Sequence, residues 1–294
     1  MSKVWFITGA TRGLGLDIAR AALAAGDRVV ATGRDEAALA RAFADHGEAV
    51  LGVALDVTQE DQSRAAVASA VSRFGSIDVL VNNAGYGNLG LFEQTTDADA
   101  RAQYDTNVFG LYNVTRAVLP VMRGQRAGRI FNISSVGGIV GGESGTLYCA
   151  SKFAVEGFSE SLAGEVAPFG IHVTIVEPGF FRTDFLDTRS IRFGSTPVAD
   201  YAAMSDGLDA FWRQRNHAQA GDPARLGAAL VQLAGHDAPP LRFAAGSDAV
   251  AMIADKIDRL RDELEAWRAL SVTTDRDDAP EAVVLGPDAA SRWG

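Results

Sequence analysis

The chain has 294 residues, 22% of them charged, and a formal net charge of −10. That acidity argues against a phosphate-backbone partner, which needs clustered Lys and Arg, so neither DNA nor RNA is expected to bind. The single cysteine, Cys149, permits no internal disulfide and fits a reducing cytoplasm, and no run of about 18 apolar residues is available to span a membrane.

The opening apolar stretch is too short for a signal peptide and leads directly into Thr8-Gly9-Ala10-Thr11-Arg12-Gly13-Leu14-Gly15. From there short apolar runs alternate with longer amphipathic ones. Strands are expected at 4–8, 28–32, 50–55 and 78–82, each followed by a helix, at 14–25, 36–46, 59–74 and 97–121. A fifth strand at 129–133, a helix at 147–167 and a sixth strand at 172–176 continue the rhythm, every strand apolar on both faces as a buried parallel sheet requires. Right-handed crossovers turn this order into a Rossmann-type, doubly wound α/β fold of three layers, with a crevice at the carboxyl ends of the strands. No linker interrupts the pattern, so residues 1–270 are expected to form one domain. Residues 180–222 hold several aromatics among polar residues and predict a helical lid. A short strand at 241–245 and a helix at 248–270 follow, and the acidic tail 271–294 is expected to be largely loosely ordered.

The chemistry-bearing residues fall at the predicted strand ends. After strand one, Gly9, Thr11, Arg12, Gly13, Leu14 and Gly15 form a turn that opens a helix, where backbone N–H groups and the helix N-terminus suit a pyrophosphate. After strand two, Gly33-Arg34 stands where an acidic residue would accept bonds from a ribose 2′-hydroxyl. Arg34 with Arg12 instead leaves room and positive charge for a 2′-phosphate, so NADP(H) is expected over NAD(H). Asp56, followed by Val57 after strand three, is either a helix-cap residue or an adenine contact, and both readings stand. Asn83, Ala84 and Gly85 end strand four, and their position favours cofactor contact over a plain turn. Tyr148 and Lys152 lie four apart, one turn on the same helical face, where an ammonium can lower the phenol's pKa and also reach a ribose hydroxyl. Ser135 can hold a carbonyl oxygen while Tyr148 moves a proton. Cys149 points about 100° away from Tyr148 and reads as a packing residue. The four histidines lack ligand spacing, and no metal is expected.

Taken together, these residues resemble the short-chain dehydrogenase/reductase family over residues 3 to 183. Around the catalytic residues the closest likeness is to 17β-hydroxysteroid dehydrogenases and retinol-dehydrogenase-like bacterial reductases. The resemblance implies Tyr148 as acid/base, Lys152 as the cation that holds the nicotinamide ribose, and Ser135 as the carbonyl anchor. Asn107, which spacing alone does not single out, is by the same resemblance the holder of a water that links Lys152 to solvent. Pro178 and Gly179 are implied cofactor contacts, and Thr183 a carboxamide contact. The expected activity is NADP(H)-dependent interconversion of a ketone or aldehyde with an alcohol on a largely apolar small molecule. A redox-neutral enzyme of the same fold (dehydratase, epimerase or cyclase) and a non-catalytic NADP-sensing regulator are the alternatives. Aromatic residues on the helices 97–121 and 147–167 predict a homodimer or homotetramer.

Overall fold

The computed structural model describes residues 2–187, 190–194 and 196–278. Its main sheet has seven parallel strands: β1 Val4–Ile7, β2 Arg28–Gly33, β3 Val50–Ala54, β4 Val79–Asn82, β6 Gly128–Ile133, β7 Ile171–Pro178 and β9 Arg242–Ala245. The order is β3-β2-β1-β4-β6-β7-β9, so the chain winds outward from β1 to β3 and then crosses to β4 on the other side of β1. This reversal puts the switch-point crevice at the carboxyl ends of β1 and β4.

Period-two alternation divides the central strands between two cores. Trp5 and Ile7 of β1 face one side, packed with Ile18, Ala19 and Ala22 of α1 (Gly13–Ala24) and with Leu226 and Leu230 of α8 (Pro223–Ala234). Val4 and Phe6 face the other, against Val67 of α3 (Glu60–Phe74), Val114 and Val118 of α5 (Gly110–Gln125), and Leu162 of α6 (Thr146–Val166). The three-layer α/β/α expectation is met. At the edge, β3 is only half-covered, because it pairs with β2 alone.

Three features differ from the sequence expectation. The helix foreseen at 97–121 is α4 (Asp97–Tyr104), then a wide π turn over Asp105–Phe109, then α5 to Gln125, with the Gly110 N–H reaching five residues back to the Asp105 carbonyl. A small parallel pair, β5 Gly87–Leu89 with β8 Ile191–Phe193, ties the loop after β4 to the region beyond Thr183. Among the described residues of 180–222 the only long helix is α7 (Ala202–Arg215), and α8, unforeseen, follows it. The final helix α9 (Ser247–Ser271) reaches into the tail, with a further turn over Val272–Thr274, while residues 279–294 lie outside the described residues. None of the described helices is long and apolar enough to cross a membrane.

Candidate active site

The glycine turn is held to β4 by side-chain bonds. Asn83 Nδ2 donates to the carbonyls of Thr8 at 2.9 Å and Gly9 at 3.1 Å, while Thr8 Oγ1 accepts from the N–H groups of Asn83 and Ala84, both at 2.9 Å. Gly9 and Gly13 have φ of 66° and 56°, the left-handed region that favours glycine. A Cβ on Gly15 would collide with the Gly9 carbonyl and Asn83. No side chain caps the first turn of α1 and no acid lies in it, whereas Asp35, Thr96 and Asp222 cap α2 (Glu36–Ala42), α4 and α8. The N-terminus of α1 can therefore hold an anion.

Gly33 is tightly packed: a Cβ there would come within 2.9 Å of Thr11 Cγ2. Arg34, next in sequence, is exposed at the crevice rim, as is Arg12 at the N-cap of α1. Asp56 does organise its loop, with Oδ1 accepting from the Thr58 N–H at 3.0 Å and its hydroxyl at 2.8 Å. Val57 is buried against Gly110, and its carbonyl accepts from Asn113 Nδ2 at 3.0 Å.

The π turn explains why Asn107 escapes a spacing argument. It turns the side chain inward, where Oδ1 accepts from the Tyr86 N–H at 3.1 Å and Nδ2 donates to the Tyr86 carbonyl at 3.0 Å and to Ser151 Oγ at 3.2 Å. Gly85 makes the approach possible, since its missing Cβ would sit 3.1 Å from Asn107 Oδ1.

Ser135, two residues past the end of β6, caps the turn that follows by accepting from the Gly137 N–H at 3.0 Å. Its neighbour Ser134 is buried behind it, facing Glu156 across the space that Gly138 leaves. On α6, Tyr148, Lys152 and Glu156 succeed one another at one-turn intervals on one face. Lys152 is buried, and its Nζ donates to the Ile133 carbonyl at 2.8 Å and lies 5.8 Å from the centre of the Tyr148 ring. Burial pulls the ammonium down to about 8, with Glu156 acting in the opposite sense. Burial pushes the Tyr148 phenol up to about 12, although the Ser135 hydroxyl beside it works against the rise. Desolvation dominates the phenol of this ligand-free site, with the Ser135 hydroxyl opposing it and the Cys149 thiol adding to it. Cys149 is half-buried and its thiol is pushed up by burial, in keeping with a packing residue.

Sequence reading missed what lies behind Lys152. Arg242 Nη1 bonds Glu156 and, at 3.0 Å, Glu177, and its Nη2 bonds Glu160 at 2.7 Å. Burial raises the carboxyls of Glu156 and Glu177 while the guanidinium holds them down. Asp248 was also missed: its Oδ2 accepts from the Phe180 N–H at 2.7 Å and fills the space where a Gly179 side chain would lie. The Gly179 N–H donates to the Ala245 carbonyl at 2.9 Å, so the Pro178-Gly179 turn is fixed by β9 and α9.

Beyond that turn, Thr183 stands over Gly13 and caps the next turn by accepting from the Phe185 N–H at 3.2 Å. Phe185 packs on Tyr148 with ring centres 5.6 Å apart. Trp212 of α7 lies 6.2 Å from Phe180 and bonds Ser144 Oγ at 3.3 Å, so the 180–222 segment leans on the loop before α6. The glycine turn, Asn83, Asn107, Ser135, Tyr148, Lys152 and Thr183 thus converge on one crevice, with an uncapped helix N-terminus at one side and the phenol and ammonium of Tyr148 and Lys152 at the other.

The family model for short chain dehydrogenases matches residues 3–192, and the chain belongs to this family. It is 41% identical over 277 residues to Oxidoreductase BOA17 of Botryotinia fuckeliana, covering 93% of this chain and 100% of that one. It is 39% identical over 249 residues to a 3-ketodihydrosphingosine reductase of Bacteroides thetaiotaomicron, covering 83% and 88%. Among solved structures, a short-chain dehydrogenase from Streptomyces avermitilis superposes with a TM-score of 0.87 at 41% identity, covering 94% of this chain and 100% of that one. A family member from Burkholderia phymatum in complex with NAD gives 0.78 at 25% identity, covering 96% and 98%. A gluconate 5-dehydrogenase from Burkholderia cenocepacia in complex with NADP and tartrate gives 0.68 at 31% identity, covering 82% and 92%.

Proposed function

We propose that the chain is an NADP(H)-dependent reductase of ketones or aldehydes, reversible as an alcohol dehydrogenase, acting on a largely apolar substrate. The observation that carries this reading is the desolvated Tyr148–Lys152 pair with Ser135 beside the phenol, at the mouth of a crevice headed by an uncapped helix N-terminus. The chemistry a bound nicotinamide supplies is hydride transfer. The Ser135 hydroxyl donates to the substrate oxygen, Tyr148 gives its proton to that oxygen on reduction and takes it back on oxidation, and Lys152 steadies the phenolate between the two. Asn107, by fixing Tyr86 and Ser151, holds the floor against which Lys152 is set. Gly9, Thr11, Gly13, Leu14 and Gly15 hold the pyrophosphate, Arg12 and Arg34 the 2′-phosphate, and Asp56 and Val57 the adenine side. Asn83, Ala84, Gly85, Pro178, Gly179 and Thr183 hold the ribose and nicotinamide side.

The bound cofactors of the related structures, NAD in one and NADP in another, favour a nicotinamide dinucleotide, and the two arginines favour its phosphorylated form. Phe185 supplies an apolar wall beside Tyr148, and the Phe180–Trp212 pair adds aromatic surface to the same segment, which supports an apolar substrate. A homodimer is the proposed assembly, formed by α5 and α6, where Phe109 and Phe153 are 51% and 46% exposed beside the Tyr112–Phe158 ring pair. A screen of NADPH oxidation over a panel of carbonyl compounds tests the activity. Turnover of any apolar ketone or aldehyde supports it, and cofactor binding without turnover across the panel refutes it.

A further inference from the structure

Past Lys256 every residue of α9 is exposed, and large apolar side chains recur along the helix on both sides of that point. Val250, Ile257, Leu260, Leu264 and Trp267 are 49% to 64% exposed, and Ile253 is half-buried. Their positions, 250, 253, 257, 260, 264 and 267, step by three and four alternately, the heptad spacing of a coiled-coil seam. A solvent-facing helix has no need of such a stripe.

We infer that this seam pairs with the same seam of a second copy, in an antiparallel two-helix contact whose two-fold axis crosses α9 between Asp258 and Arg259. Sizes select that register. It sets Trp267, the largest residue of the seam, opposite Val250, the smallest, with Leu264 opposite Ile253 and Leu260 opposite Ile257, and the same residues meet in reverse on the far side of the axis. Charges agree with it. Arg259, Arg261 and Arg268 are each bound within the helix, to Asp255 at 2.8 Å, Asp258 at 3.2 Å and Glu265 at 2.6 Å. Lys256 and Glu263, which flank the seam, make no ion pair among the described residues, and the antiparallel register brings Lys256 of each copy to Glu263 of the other. A parallel pairing would instead set Lys256 against Arg261. An anionic lipid surface is the poorer fit, because residues 255 to 268 carry five acidic against four basic side chains. The α9 contact is separate from the α5–α6 faces, and where both form, two two-fold contacts make a dimer of dimers.

Light scattering and sedimentation of the full chain test the register, with circular dichroism and a melting curve as checks on folding. Lys256→Glu and Glu263→Lys are each expected to weaken association at least tenfold by placing like charges across the seam, and the double exchange to restore it. Leu260→Glu with Leu264→Glu is expected to halve the assembled mass whether or not α5 and α6 also pair, whereas Phe109→Glu with Phe153→Glu reports on those faces alone. The inference is overturned if the α9 variants keep the wild-type mass, or if the double charge exchange fails to restore association. It is equally overturned if the wild type is monomeric and sediments with phosphatidylcholine/phosphatidylglycerol vesicles, which would make α9 a lipid-binding helix.

Discussion

Lys152 Nζ is bonded to the Ile133 carbonyl at 2.8 Å and lies 5.8 Å from the centre of the Tyr148 ring, so the ammonium is aimed past the phenol into the end of the sheet. With its pKa pushed up to about 12, Tyr148 stays protonated through neutral pH and is set to donate rather than accept. Carbonyl reduction should therefore vary little between pH 6 and 9, while alcohol oxidation, which needs phenolate, should rise steadily over the same interval. Tyr148→Phe should lower both directions by about 2 to 4 orders of magnitude with the fold intact. Initial rates measured both ways across pH check this, and near-normal turnover in the variant would remove Tyr148 from the mechanism.

Lys152 should cost the ligand-free protein stability. An amine whose folded pKa falls from 10.5 to about 8 is charged in both states below about 8, where the full burial penalty applies, and neutral in both above 10.5, where the penalty vanishes. The difference corresponds to about 3 kcal/mol, to order of magnitude. Lys152→Met should thus stabilise the apo chain most at pH 6–7 and progressively less toward pH 10, while weakening NADPH binding through loss of the ribose contact. Melting temperatures over that pH range decide it. A gain that does not shrink with rising pH would mean that packing, not charge burial, sets the effect.

The sheet and the glycine turn were legible in the sequence because both are local patterns: apolar runs of strand length, and glycines at strand ends. What long-range contact decides was not. The strands β5 and β8 have three residues each, too few to show a period, and lie about a hundred residues apart. The π turn at Asn107 adds one residue and shifts the helical phase by about 100° between α4 and α5, and nothing in the spacing marks where that shift falls. Glu156 could be placed one turn from Lys152, but its partner Arg242 is 86 positions away. The burial that dominates the pKa of Tyr148 is likewise set by long-range packing, which spacing does not reveal.

The packing of Gly33 against Thr11 changes what a cofactor-switching substitution should do. Gly33→Asp sets a carboxylate where the 2′-phosphate is proposed to lie, and it also drives its Cβ toward Thr11 Cγ2, 2.9 Å away. Preference should move from NADPH toward NADH by at least tenfold, with weaker binding of both, and Thr11→Ser in the same chain should relieve the general loss while keeping the switch. Arg34→Ala should weaken NADPH alone. Titrations of both cofactors against the wild type and the three variants check this, and a wild type that binds NADH more tightly would refute the arginine argument.

Arg242 neutralises two buried carboxylates, and removing it strands them. Arg242→Met should cost about 2 to 4 kcal/mol at pH 7, within the range for breaking a buried pair after allowing for the partial exposure of the guanidinium. Because Glu156 and Glu177 already sit above the ordinary carboxylate range, losing the cation raises them further, so stability should fall as pH rises from 5 to 8. Urea midpoints across that interval test the sign, and a loss independent of pH would assign Arg242 a packing role only.

The segment 180–222 is fastened at its base and leans on the active site at its tip, a geometry suited to opening. At the base the Arg182 N–H donates to the Gly221 carbonyl at 2.9 Å and the Gly221 N–H to the Phe180 carbonyl at 3.0 Å. Between base and tip the β5–β8 pair and the Ser205–Gln94 bond at 3.1 Å hold the segment to the loop after β4, while toward the active site the Phe185 ring rests on Tyr148 and Trp212 bonds Ser144, two contacts that can break and re-form in each cycle. Limited proteolysis of the apo protein should therefore cut first between residues 182 and 221, and NADPH with a substrate analogue should suppress the cut. Trp212→Phe, which keeps the ring and removes the hydrogen bond, should speed apo cleavage severalfold and leave cleavage near the C-terminus unchanged. Mass spectrometry of the fragments locates the sites. Early cleavage confined to positions after Ser271, unaffected by ligand, would make 180–222 a fixed wall, and substrate entry would then run between Tyr86 and the Ser144 loop instead.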